Sequence, residues 1–111
     1  MINKISHLGI AVKDLKSASE TYKKLLQSEP SEMEFVEEQK VNVVKFTIGE
    51  STIELLEGTS PDSPISKFIE KRGEGIHHVA YESDNIHADL KRLDENGFEL
   101  INKEPKTGSD N

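Results

Sequence analysis

Two stretches of the chain match without a gap: ISHLGIAVKDL, residues 5–15, and IHHVAYESDNI, residues 76–86. Each reads as a short strand with a histidine in third place, followed by an Asp or Asn suited to cap a helix. A repeated strand–helix unit constrains the fold more than any other feature, because duplicated units pack around a pseudo-twofold axis. The repeat also sorts the HH doublet, since it pairs His7 with His78 rather than with His77. Side chains alternate between the two faces of a strand, so His77 is expected to point away from His78, toward a helix layer, as a packing residue.

The first unit is the fuller one. NKISHLGIAV alternates like a half-buried strand, with Ile5, His7, Gly9 and Ala11 on one face and Leu8, Ile10 and Val12 on the other. Asp14 then caps a helix running to about Gln27, in which Leu15, Ala18, Tyr22, Leu25 and Leu26 form the inward stripe. After the break at Pro30, MEFVEE, VNVVKFTI and STIELLE read as three strands, the last two joined at GES.

The linker GTSPDSPIS leads into a short helix with Ile65, Phe68 and Ile69 inward. GIHHVAYES follows as a strand, and Asp84 or Asn85 caps a second repeat helix whose stripe is Ile86, Leu90 and Leu93. Gly97 ends that helix and FELI starts a further strand, before a tail, NKEPKTGSDN, with no apolar periodicity. The expected fold is therefore α+β, in paired βαβββ modules with the second lacking its last two strands. Module one spans residues 1–58, a linker and short helix 59–73, and an incomplete module two 74–111. Because open sheet edges need pairing or cover, the expectation is a chain cut short of those strands.

At 111 residues the chain suits a single domain. A formal net charge of −7 removes the electrostatic footprint that nucleic acids or anionic membranes require. No segment reaches the roughly 18 apolar residues of a membrane span, and the opening residues lack a signal-peptide pattern. Without cysteine there is no disulfide or thiolate chemistry, and the cytoplasm is the expected compartment.

Three residues on separate strands could converge on a divalent cation: His7, Glu54 and His78. Mixed imidazole and carboxylate donors suit Zn, Co, Ni, Mn or Fe better than calcium. Each taken alone reads equally as a core or surface residue, and no local motif such as H-E-x-x-H supports it. Repetition of the histidine at equivalent points of two units is what favours a shared centre.

HLGIAVKDL, TIELLEGTSPDSPISKFIEKRGEGIHHVAY and GFELINKEPKTG together resemble the methylmalonyl-CoA epimerases of the vicinal oxygen chelate superfamily. The resemblance covers nearly the whole chain, and the block from Thr52 to Tyr81 is its most specific part. It implies paired βαβββ modules around a metal held by His7, Glu54 and His78, with Co, Zn, Ni, Mn and Mg not distinguished. It places a fourth ligand, a glutamate, in a strand beyond TGSDN. The implied reaction interconverts (2R)- and (2S)-methylmalonyl-CoA by proton removal and return at carbon 2.

A further carboxylate used by some relatives falls near Asn42 and Val43, neither of which can act as acid or base, so no acid–base residue is assigned. Lys45 and Thr47 are candidates for the substrate carboxylate. Lys67 and Lys71 are candidates for the phosphates of an acyl-CoA, against the plainer reading of a solvated helix face balanced by Glu70 and Glu74. The resemblance implies a homodimer as well. Two other activities fit the fold: a glyoxalase I-type lactoylglutathione lyase, and a metal-free module that sequesters a small molecule such as an antibiotic.

Overall fold

The computed structural model describes residues 1–101. Five strands and three helices alternate in the order β1 (Ile2–Ala11), α1 (Leu15–Leu26), β2 (Glu34–Val36), β3 (Val41–Ile48), β4 (Ser51–Gly58), α2 (Pro64–Arg72), β5 (Gly75–Ser83) and α3 (Ile86–Glu95). The strands form one sheet in the order β2-β3-β4-β1-β5. β1 runs parallel to β4, while β2, β3 and β4 are antiparallel neighbours. The chain divides into two compact units, one of residues 5–80 and one of residues 1–4 together with the segment from Tyr81 onward.

In the larger unit, doublets such as Ala11–Val12, Val43–Val44 and Leu55–Leu56 are buried at both members. Alternation sends the two members to opposite faces, so a buried doublet requires cover on both. α1 provides one cover: Leu15 joins Val12, Val44, Phe46 and Leu55, with Ala18, Tyr22 and Leu26 packed against them. α2 provides the other: Ile65 joins Ala11, Val41, Val43 and Leu56, with Phe68 and Ile69 alongside.

The helix starts follow from local chemistry. Ser17 N–H donates to Asp14 Oδ1 at 3.2 Å, and Leu15 N–H donates to Glu57 Oε2 at 3.1 Å, so two carboxylates meet the electropositive end of α1. Glu57, on β4, thus takes part in capping α1. Ile65 N–H donates to Ser63 Oγ at 3.2 Å, and Pro64 opens α2 without a lost donor.

Several expectations need correction. Leu25 is 69% exposed, because Leu26 takes the inward position in the last turn of α1. The strand expected over MEFVEE is only Glu34–Val36. It gives way to a 3₁₀ turn at Glu37–Gln39, where the acidic run offers no apolar alternation to hold a strand.

In the smaller unit, Asn85 rather than Asp84 caps α3, receiving Ala88 N–H at 3.1 Å, and Gly97 follows α3 at φ +84. The buried residue of α3 is Asp89. Leu90 and Leu93 are half-buried, and Ile86 is exposed. FELI forms no strand: Phe98 and Ile101 are exposed, and no described strand pairs with this segment. The polar tail after Ile101 lies outside the described residues. No helix among the described residues is long and apolar enough to cross a membrane.

Candidate metal centre

β1, β4 and β5 each deliver one residue to a common point. Donor atoms of His7, Glu54 and His78 all lie within 4.8 Å of one another. His7 Nε2 is 3.2 Å from His78 Nε2, and the two rings meet edge to face at 90°. Glu54 Oε2 lies 3.6 Å from His7 Nδ1, and the carboxylate is buried, 3% exposed. The parallel register of β1 and β4 sets Gly9 opposite Glu54 and His7 opposite Thr52.

Gly9 explains how a side chain from β5 reaches that point. A Cβ on Gly9 would stand 2.2 Å from His78 Cε1 and 2.6 Å from its Nδ1. The imidazole of His78 therefore lies across the β1 backbone in space that only glycine leaves open. Nothing in the expected ligand set named Gly9. A glycine inside a strand pattern, as in HLGIAV, is the signal for such an approach.

The surroundings of His78 favour its neutral form. Burial pushes the His78 pKa below its ordinary value, and the neighbouring His7 and His77 push it the same way. Burial also lowers that of His77. A neutral ring keeps one nitrogen lone pair for a cation, and only that form is a ligand.

The spacing of the two imidazoles fits a single ion. Two nitrogens bound at about 2.1 Å, at tetrahedral to octahedral angles, lie roughly 3.0–3.4 Å apart, and the observed separation is 3.2 Å. Among the described residues the donor set is two imidazoles and one carboxylate.

The remaining candidates fall in two groups. Lys45 pairs directly across from Glu54 in the β3–β4 ladder and is half-buried, with Nζ 3.9 Å from Glu34 Oε1. Thr47 pairs with Thr52 and is exposed. Alternation sets Lys45 and Thr47 on the Glu54 face of the sheet.

Lys67 and Lys71 are exposed on α2, which turns Ile65, Phe68 and Ile69 inward. His87 is exposed early in α3. His77 departs from expectation: its ring does pack on Phe68 of α2 at 5.0 Å, yet its Nδ1 lies 3.0 Å from His78 Nδ1. β5 ends the described sheet, so the two side chains have room to lean together instead of separating onto opposite faces.

The chain has relatives among known proteins. Residues 6–111 match the family model of the glyoxalase/bleomycin resistance protein/dioxygenase superfamily. The uncharacterized protein YqjC of Bacillus subtilis is 38% identical over 97% of this chain and 77% of its own length. The mitochondrial methylmalonyl-CoA epimerase of Homo sapiens is 35% identical over 97% of this chain, which spans only 62% of that enzyme.

A crystallised variant of Streptomyces coelicolor methylmalonyl-CoA epimerase, in complex with 2-nitronate-propionyl-CoA, superposes with a TM-score of 0.85. It is 33% identical, and the match covers 98% of this chain and 80% of that one. The α+β architecture is thus the glyoxalase-like one, and this chain belongs to the glyoxalase/bleomycin resistance protein/dioxygenase superfamily.

Proposed function

We propose that the protein is a metal-dependent isomerase that interconverts (2R)- and (2S)-methylmalonyl-CoA. The observation that carries this reading is the convergence of His7, Glu54 and His78 in a chain whose relatives include methylmalonyl-CoA epimerases. A module built only to sequester a small molecule has no need of three converging donors.

The proton on carbon 2, alpha to a thioester, is too weakly acidic to leave unaided at neutral pH. A divalent cation at this site would supply the positive charge that stabilises the enolate oxygen as it develops. His7, Glu54 and His78 would hold that cation, with Gly9 keeping the space His78 occupies. Lys45, directly across from Glu54, and Thr47 two residues on would bind the substrate carboxylate. Lys67 and Lys71 would meet the CoA phosphates on the outer side of α2, giving an acidic protein a local basic surface. The reading includes a homodimer in the cytoplasm, open to test by light scattering and fractionation.

Incubation of the protein with methylmalonyl-CoA in D2O tests the chemistry. Deuterium at carbon 2 is expected in the presence of Co2+ or Zn2+ and not after chelation. No incorporation with metal present would sink the assignment. The alternative, a metal-free binding module, is supported if dialysed wild type and His78→Ala retain equally negligible metal.

A further inference from the structure

The two ligand histidines share a feature that strand geometry does not ordinarily produce. Neighbouring side chains on a strand diverge to opposite faces, yet each histidine meets the side chain just before it. Ser6 Oγ lies 3.3 Å from His7 Nδ1, and His77 Nδ1 lies 3.0 Å from His78 Nδ1. Ser6 and His77 are equivalent positions of the internal repeat. In both pairs the contact falls on Nδ1, while the two Nε2 atoms face each other at 3.2 Å.

An imidazole that gives its Nε2 lone pair to a cation carries its proton on Nδ1, and that N–H needs an acceptor to fix the ring. We propose that His77 is a positioning residue whose Nδ1 accepts the Nδ1–H of His78, with Ser6 Oγ the weaker counterpart for His7. This role rests on the reading that His7, Glu54 and His78 hold a metal ion.

His77 is itself held for the task. Its ring stands edge-on to Phe68, with centroids 5.0 Å apart and planes at 81°, so α2 steadies the acceptor from behind. The order Phe68, His77, His78 thereby runs from the apolar core to the metal centre. Ser6 contributes less, because its contact is longer and the Glu54 carboxylate stands 3.6 Å from the same nitrogen of His7.

Two substitutions separate orienting from packing. His77→Phe keeps an aromatic ring against Phe68 and deletes the acceptor. His77→Asn deletes the ring and keeps an acceptor, because the Asn side-chain oxygen sits where Nδ1 of histidine does. The readouts are Zn2+ affinity by calorimetric titration and the His78 ring N–H proton in the NMR spectrum of the zinc-loaded protein.

Wild type is expected to bind Zn2+ and to show that proton slowly exchanging and downfield. His77→Phe should bind roughly 10–100-fold more weakly and lose the signal to solvent exchange, and His77→Asn should recover much of both. Ser6→Ala should weaken binding by less than His77→Phe.

If His77→Phe binds like wild type and keeps the protected proton, the positioning role is overturned and His77 is packing alone. If His77→Asn is the weaker variant, it is overturned as well. If wild type and His78→Ala alike fail to bind Zn2+, Co2+ or Mn2+, the metal reading falls, an outcome distinct from either of these.

Discussion

The two compact units are held together by different forces. All ten buried hydrophobic residues described lie between Ala11 and Ile65, inside the larger unit. The smaller unit contributes none, and its buried group is the carboxylate of Asp89. That carboxylate accepts a hydrogen bond from Ser83 Oγ, lies 3.2 Å from the Met1 ammonium and 3.5 Å from Arg92 Nη2. Met1 reaches Asp84 at 2.6 Å as well. Apolar burial is non-directional and insensitive to pH, whereas a cluster of charges is directional and screened by salt. The three residues of the metal centre all lie in the apolar unit, with Glu54 on β4, whose Leu55 and Leu56 are buried on both faces.

The contrast breaks first at the core. Phe46 is fully buried between Val44, Leu55 and Tyr22 of the α1 face. Phe46→Ala should cost about 3–5 kcal/mol, read as a lower urea midpoint. The loss should be nearly independent of salt and of pH near neutrality. A cost below about 1 kcal/mol, or a strong salt dependence, would remove the basis for calling this unit apolar in origin.

Gly9→Ala acts within the same unit but on the site rather than the core. Its new Cβ would overlap the His78 ring, and the ring, being the far end of a side chain, can swing aside. The fold should survive while zinc affinity falls roughly 100-fold, about 2.7 kcal/mol. Unchanged affinity by calorimetry would show that His78 does not need the passage over β1.

Much of this was legible in the sequence, for reasons visible at particular residues. Asp14 and Pro30 bracket α1, and the apolar runs of β3 and β4 are bounded by the GES turn, so local chemistry alone fixed those elements. His7, Glu54 and His78 emerged from the repeat and the family resemblance, and the structure brings them together.

What escaped depends on contacts between distant segments. The His77–His78 contact defeats alternation because β5 has room to let both rings lean. Gly9 matters only once a ring from β5 crosses β1. In α3, the apolar stripe suggested Leu90 and Leu93 as the buried face, but Asp89 is the buried member because Ser83, Met1 and Arg92 surround it. FELI has strand-forming residues, and composition cannot supply the partner strand they would need.

Asp89→Ala tests the smaller unit directly. Removing the carboxylate leaves Ser83, Arg92 and the Met1 ammonium without their shared acceptor, so α3 amides should exchange with solvent faster. Amides of β3 and β4 should keep wild-type protection. Equal acceleration in both regions would mean that the two units unfold as one cooperative body.

The smallest effect expected is a pH dependence confined to α3, and its sign differs at the two ends of the range. The Ser83 hydrogen bond, helped by the ammonium and Arg92, holds the Asp89 pKa below its ordinary 3.8. A depressed carboxylate pKa contributes stability that is complete above the ordinary value and is lost as pH falls through the lowered one.

The Met1 ammonium is shifted the other way. Hydrogen bonding to Asp84 raises its pKa above 8.0, so its contribution is complete below 8.0 and disappears as pH rises through the raised value. Protection of α3 amides, after correction for intrinsic exchange, should therefore be flat from about pH 5 to 7.5 and fall on either side. Acetylation of Met1 should abolish the alkaline fall and leave the acid one. Because Met1 and Asp84 are largely exposed, the alkaline fall should be small and should shrink further in high salt. An acetylated protein that still loses α3 protection above pH 8 would assign that loss to groups other than the amino terminus, leaving Asp89 with Ser83 and Arg92 as the charge-based tie of this unit.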